Sequence, residues 1–292
     1  MTNLAVISEI DPEAKVAPEA QIGPYCVVGP NVTIGPGTIL RRRVCLYGHT
    51  IVGSGNVFEE GCVIGDKPQD LKYKGGPTLL MIGHRNYFGQ KVTVHLGTED
   101  GGGLTRIGDD NYFGQGSHIA HDCYIYNRTR LGRHVLLAGH ICVETGAVME
   151  PLSGAHHFVT IGRYCRIGSR TAIRRDVPPF TEFFGSGDNN STAGVRGIHE
   201  AGIAAARLPA DEQRELRHCL GDLFIDRTAL ETKIEHLEKL GVEGEAAKLC
   251  EFCRRSLRGV YGRYRELLRG QSPPEAAKFL PPQLSNLWRQ SR

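Results

Sequence analysis

A triangular prism of stacked parallel β-coils, followed by a smaller helical unit, is the fold this sequence predicts. Three observations lead there: an apolar residue at every sixth position, small residues four places further on, and a change to helical periodicity in the last third of the chain. Val16, Ile22, Val28, Ile34, Leu40, Leu46, Val52, Phe58 and Ile64 keep the six-residue step without a slip. The phase resumes at Ile82, Phe88 and Val94, shifts by one residue, and runs from Ile107 to Ile173. A period of six fits neither an α-helix nor a free-standing strand. It fits short strands joined at corners, each hexad one wall of a solenoid whose apolar row is buried only by the neighbouring coils.

Most of the six-spaced residues are followed by Gly, as in IGPYCV and IGPGTI, which supplies tight turns or positive φ at the corners. Ala20, Cys26, Val32, Thr38, Val44 and Thr50 occupy the small position four residues on, and Cys62, Cys123 and Cys165 share it. These cysteines read as small core residues. With three hexads per turn, eight coils begin at residues 16, 34, 52, 82, 107, 125, 143 and 161. At about 4.8 Å per coil the prism is roughly 40 Å tall. Two stretches interrupt it, Asp66–Met81 (DKPQDLKYKGGPTLLM) and Leu96–Arg106 (LGTEDGGGLTR), and insertions in a solenoid become loops on one face.

After DVPP (176–179) the repeat ends, and the Gly/Asn/Ser-rich GSGDNNSTAG (185–194) leads into helical sequence. Residues 209–224, 226–241 and 243–270 carry helix periodicity, acidic starts and a Gly stop, and a Pro-rich tail closes the chain. The expected domains are 1–184 and 185–292. A net charge of +3 is too mild to argue for nucleic acid, and 23% charged with 40% hydrophobic residues describes a soluble globular chain. The start has no basic segment followed by an apolar run, so no signal peptide is expected. No apolar stretch approaches the roughly 18 residues of a membrane span, so no membrane insertion is expected. Nine cysteines with one lone CxxC (Cys250, Cys253) suit reduced thiols better than a zinc ribbon, which needs a second pair.

The third hexads begin at 46, 64, 94, 119, 137, 155 and 173 and form one stack, from which both insertions leave. His95, His121, His140, and His156 with His157 therefore share one edge in four consecutive coils, and His118 reaches the corner from the preceding hexad. His84, His134, His199 and His218 lie elsewhere and read as ordinary surface or core residues. Three chemistries suit such an edge. Neutral imidazoles from different coils could hold a metal, as in the γ-class carbonic anhydrases, which use a prism of this kind. One His with an orienting carboxylate, His121 with Asp122, could act as a general base. Histidines could also serve only as hydrogen-bond donors to phosphates or sugar hydroxyls. The long loops and the helical unit favour the base.

The chain resembles the UDP-N-acetylglucosamine acyltransferases of lipid A biosynthesis, from about Val6 to Val260. The motifs that carry the likeness are QDLKYKG (69–75), VHLGTEDGGGLT (94–105), HIAHDC (118–123), LAGH (137–140), HHF (156–158), DVPP (176–179) and RRSLRGV (254–260). The resemblance implies a mainly β fold, a left-handed parallel β-helix (hexapeptide-repeat prism) followed by a smaller α-helical C-terminal domain. It also implies a cytoplasmic homotrimer with active sites between neighbouring prisms. The implied reaction moves a 3-hydroxyacyl chain from acyl carrier protein to the 3-hydroxyl of UDP-N-acetylglucosamine. By that resemblance His121 is the base, Asp122 orients it, and the Gly139 N–H is the oxyanion donor. Asp70, Lys72, His118, His140, His156 and His157 are substrate contacts, and Ser169 lies at the floor of the acyl groove. Neither a metal nor another cofactor is implied, the acyl donor being carried on the phosphopantetheine of acyl carrier protein. The arginines of 254–269 are candidates for steering that acidic partner.

The sequence departs from the family pattern at His157, where the family has Gln. It departs again in STAGVRGIHEAG (191–202), where Gly194, Glu200 and Ala201 replace an Asn and an arginine pair that meet the nucleotide. An acyltransferase acting on a different amino-sugar nucleotide is therefore a second reading, separated from the first by an acceptor screen. A zinc hydratase would carry bound zinc, and a non-catalytic trimeric scaffold would keep its role without His121.

Overall fold

The computed structural model describes residues 7–186, 189–224 and 228–269. Its first part is a left-handed parallel β-helix with three sheets of nine, eight and ten short strands. The eight coil starts read from the sequence are in register on one face: Val16, Ile34, Val52, Ile82, Ile107, Ile125, Val143 and Ile161 pair in succession. The third-hexad stack is a second face, on which Ile64, Val94, Ile119, Leu137, Ala155 and Ile173 pair coil by coil. Both insertions leave this second face and re-enter on the first, after Val63–Asp66 and after Thr93–His95.

The six-spaced side chains fill the prism. Phe58, Phe88 and Phe113 lie fully buried on the third face as a stack, with centroids 4.5 and 4.8 Å apart. Beside them the small position carries Asn56, Asn86 and Asn111, all buried. Their side chains bond from coil to coil: Asn86 Nδ2 donates to Asn56 Oδ1 (2.9 Å), and Asn111 Oδ1 accepts the Thr129 N–H (2.8 Å). Buried amides are tolerated where neighbouring coils supply partners, although Asn111 Nδ2, at the end of the row, has none among the described residues. Cys26, Cys62, Cys123 and Cys165 are fully buried free thiols, as expected from their place in the repeat. Burial pushes the Cys62 and Cys123 thiols up to about 12.

Some corner glycines take the expected positive φ, among them Gly37, Gly55, Gly61 and Gly116. Many of the glycines following an apolar residue are needed for close approach: a Cβ on Gly53 would lie 2.5 Å from the Gly83 carbonyl oxygen of the next coil. Other left-handed corner positions are taken by larger residues, among them Tyr25, Arg43, Asp122, His140 and Phe158. The stacked ladder over-determines their backbone and offsets the strain.

Strands Thr181–Ser186 and Asn189–Ile198 form an antiparallel hairpin that continues the third face, the first pairing with Arg166–Ile167. Among the described residues four α-helices follow, α1 (Glu200–Ala206), α2 (Ala210–Phe224), α3 (Leu230–Lys239) and α4 (Gly244–Arg258). Leu216, Leu220, Ile234, Leu237 and Leu249 make their core, and Phe180 and Ile203 join it to the prism. Helix α1 falls in a stretch with no helical expectation. The helix expected over 243–270 ends at Arg258, because Gly259 takes an extended backbone (φ −73°, ψ 155°). The chain then turns at Tyr261 and Gly262, both with positive φ, into a short 3-10 helix, Tyr264–Leu268. The Pro-rich tail lies outside the described residues. Among the described residues no helix is long and apolar enough to cross a membrane.

Candidate active site

Asp122 turns the corner of its coil with φ +59°, a left-handed value that Asp tolerates better than most residues. That turn points its carboxylate inward, where it is 1% exposed. It is held from three sides. Oδ1 accepts the Thr98 N–H (2.9 Å), and Oδ2 accepts the Thr98 hydroxyl (2.6 Å) and His121 Nδ1 (2.7 Å). A carboxylate only accepts, so the His121 proton sits on Nδ1 and Nε2 presents a lone pair. Thr98 belongs to the second insertion, whose Gly101 passes so close to the Asp122 carboxylate that a Cβ there would overlap it.

Gly139 lies one coil on. A Cβ at this residue would sit 2.5 Å from His121 Cε1 and 2.7 Å from Nε2, so the imidazole occupies the space a side chain would need. Among the described residues the Gly139 N–H has no acceptor, while its neighbours Ala138 and His140 donate to Ala155 O and His121 O. An unpaired amide beside an imidazole lone pair is a ready hydrogen-bond donor. His140 stands edge-on to His121 (5.2 Å between centroids) and stacks on Phe158 (4.3 Å).

Two cavities meet at this pair. A groove of about 600 Å³ runs along the second face, with His118, Leu136, Leu152, His156 and Arg170 among its walls. A pocket of about 370 Å³ opens on the other side, with Asp70, Lys72, Asp100, His140, His157 and Arg269 around it. His121 and Gly139 line both. The candidate residues Asp70, Lys72, His140 and His157 thus lie on the pocket side and His118 and His156 on the groove side, with His121 and Gly139 between them and Asp122 behind His121. Ser169 stands apart from both linings, on an exposed turn where its hydroxyl bonds Glu150 (3.0 Å), next to the groove-lining Arg170. His95 is buried beneath the first insertion and bonds the Lys67 carbonyl through Nδ1 (2.7 Å). Glu99 joins the two insertions by accepting the Gly76 N–H (2.6 Å).

Sequence reasoning missed Thr98 and Phe158. Both stood in motifs already singled out, VHLGTEDGGGLT and HHF, but only the folded loop and corner reveal their contacts. The arginine run 254–269 does not form one surface. Arg254 pairs with Glu238 and Arg255 with Glu251, while Arg263 and Arg269 share Glu266.

Among the described residues His121, Asp122 and His140 are the group whose ligand atoms could hold a metal, all within 4.8 Å of one another. Asp122 Oδ2, the oxygen shared by that group, already accepts from His121 and from the Thr98 hydroxyl. That arrangement orients an imidazole and favours a base.

Burial holds both His118 and His140 down at about 4, with His121 pushing each the same way. Both are neutral at pH 7. In the unfolded chain they titrate near 6.5, so between these values the unfolded state binds more protons. Their stabilisation is full above about 6.5 and lost as pH falls towards 4. Urea midpoints are therefore expected to fall between pH 7.5 and pH 5, and to fall less in a His118→Gln/His140→Gln variant. An equal fall in both proteins would place the proton uptake elsewhere.

A hexapeptide prism carrying a buried His–Asp pair at a loop-covered corner places the chain in the class of hexapeptide-repeat acyltransferases. A curated relative from Synechocystis sp., named acyl-[acyl-carrier-protein]–UDP-N-acetylglucosamine O-acyltransferase, is 40% identical over 170 residues, which are 58% of this chain and 61% of that protein. The LpxA structure from Acinetobacter baumannii is 33% identical with a TM-score of 0.77, covering 84% of this chain and 93% of that one. The UDP-N-acetylglucosamine O-acyltransferase (LpxA) of Moraxella catarrhalis is 32% identical over the same shares, also with a TM-score of 0.77. No family model matches the chain. The chain belongs to the UDP-N-acetylglucosamine acyltransferase family.

Proposed function

We propose that this chain transfers a 3-hydroxyacyl group from acyl carrier protein to the 3-hydroxyl of UDP-N-acetylglucosamine, the first step of lipid A biosynthesis. The observation that carries this reading is the His121–Asp122 pair beside the unpaired Gly139 N–H, at the junction of an open groove and a polar pocket. A thioester is already reactive, so acyl transfer needs only a positioned base and a donor for the developing oxyanion. His121 Nε2 takes the proton of the sugar hydroxyl as its oxygen bonds to the thioester carbonyl carbon. The carbonyl oxygen becomes an oxyanion that accepts the Gly139 N–H. The intermediate then re-forms the carbonyl and breaks the C–S bond, and the departing pantetheine sulfur takes the proton from the His121 imidazolium. Asp122 keeps the imidazole in the right tautomer and balances its transient charge. The groove suits the acyl chain and the pocket suits the polar substrate groups, with Asp70, Lys72, His140 and His157 as contacts there and His118 and His156 on the groove side. No metal or other cofactor takes part in this scheme.

The groove is open along one side, with Leu136 54% and Leu152 52% exposed, and the Leu71 side chain on the first insertion is fully exposed. These apolar surfaces support a homotrimer in which a neighbouring prism closes the groove. Dependence on acyl carrier protein supports a cytoplasmic enzyme.

One observation favours a second acceptor. Glu200, standing where the family has a cation for the nucleotide, pairs with Arg217 (2.9 Å). An N-acylated amino-sugar nucleotide is then the alternative. The test is transfer from a series of 3-hydroxyacyl carrier proteins to UDP-N-acetylglucosamine and its 3-amino analogue. Turnover with the first supports the proposal, and turnover with the second alone replaces the acceptor. Turnover with neither, in folded protein, rejects it.

A further inference from the structure

The family resemblance ends near Val260, yet the chain continues in an ordered segment that returns to the active-site corner. Its path is fixed by named bonds. Asp176 donates its N–H to the Gly262 carbonyl (2.7 Å) and accepts the Tyr264 N–H on Oδ2 (2.9 Å). The Arg263 guanidinium, 7% exposed as a residue, donates to the Arg174 carbonyl (3.0 Å). Arg265 Nε then reaches the His140 carbonyl (3.3 Å), and its guanidinium lies 5.5 Å from the Tyr124 ring centroid. Arg269 follows, its guanidinium 4.7 Å from the Phe158 ring centroid, and lines the pocket with Lys72, His121 and His157.

Arg269 is only partly engaged. Glu266 Oε1 takes Nε and Nη2, and among the described residues the two N–H groups of Nη1 have no acceptor. Lys72 faces the same pocket, and among the described residues its ammonium has no anionic partner. Asp70, on the same wall, is occupied by the Lys72 backbone N–H (2.9 Å). Two cations with spare donors in one pocket beside the base match a phosphate group, which offers several acceptor oxygens and bonds strongly to guanidinium.

We propose that Arg269, from a segment outside the family resemblance, acts with Lys72 as a phosphate-binding arm of the pocket beside His121. The ligand is a phosphate ester, and both implied substrates contain one: the nucleotide diphosphate of the acceptor and the phosphodiester of the donor's pantetheine arm. The inference rests on the proposed function only in taking this pocket as a substrate pocket.

Calorimetric binding to the full chain, independent of turnover, provides the test. UDP-N-acetylglucosamine and 4′-phosphopantetheine are titrated into wild type, Arg269→Ala and Arg269→Lys. The side chain is half exposed, so Arg269→Ala is expected to fold as wild type does. One probe is expected to bind about tenfold more weakly to Arg269→Ala, to recover in part with Arg269→Lys, and to show a shallower salt dependence. The probe affected identifies the substrate that supplies the phosphate. Binding of both probes within twofold of wild type in Arg269→Ala, or no binding to wild type, overturns the proposal. Arg269-dependent binding in a chain that transfers no acyl group would keep the phosphate arm and remove the proposed activity.

Discussion

Replacing His121 with alanine is expected to slow acyl transfer by about a thousandfold, within the hundred- to ten-thousandfold range of a lost general base. The imidazole is the one group in the corner that combines a free ring nitrogen, a carboxylate on its other nitrogen, and a place in both cavities. His121 lies outside the apolar core, so circular dichroism should stay close to wild type, while Asp122, still held by Thr98, loses one partner and the unfolding midpoint falls modestly. Substrate KM values should change little, because the loss falls on the chemical step. A loss below tenfold in kcat would show that another group takes the proton, and His140, 5.2 Å away between ring centroids, would be examined next.

Phe88→Ala should destabilise the prism by about 3–5 kcal/mol, the usual cost of removing a fully buried phenyl ring. Phe88 is the middle ring of three, stacked on Phe58 below and Phe113 above, so its loss opens a cavity with an aromatic face on both sides. Neighbouring coils cannot close that gap, since their spacing is set by the parallel strand pairing of Phe58 to Phe88 and Phe88 to Phe113. Urea unfolding at pH 7.5 measures the change. A cost under about 1 kcal/mol would mean that the ladder relaxes around the hole, contrary to the rigidity argued for it.

The prism was legible because its signal is one-dimensional. A residue such as Ile119 pairs with Val94 and Leu137 in the adjoining coils, so counting along the chain is equivalent to locating it in space. The grouping of His121, Gly139 and His140 followed from the same count. Contacts that leave the repeat did not. Thr98 reaches Asp122 through an insertion whose path depends on Gly101 and Glu99, and no periodicity encodes that path. The break after Arg258 was hidden because Gly259 sits in otherwise helical sequence, and one extended residue there redirects the next ten. Arg265 and Arg269 therefore read as part of a basic helix, although the turn delivers Arg265 to the His140 carbonyl and Arg269 to the pocket.

The three-sided grip on Asp122 has a consequence for coupling. Thr98 holds the carboxylate that orients His121, and Glu99, the next residue, holds the amide of Gly76 in the first insertion. The two loops and the dyad are thus joined by one chain of hydrogen bonds. The effect of a ligand that fastened the loop carrying Asp70 and Lys72 would be transmitted along that chain to the alignment of the imidazole. By reciprocity, an aligned dyad would raise that loop's affinity for the ligand by the same factor.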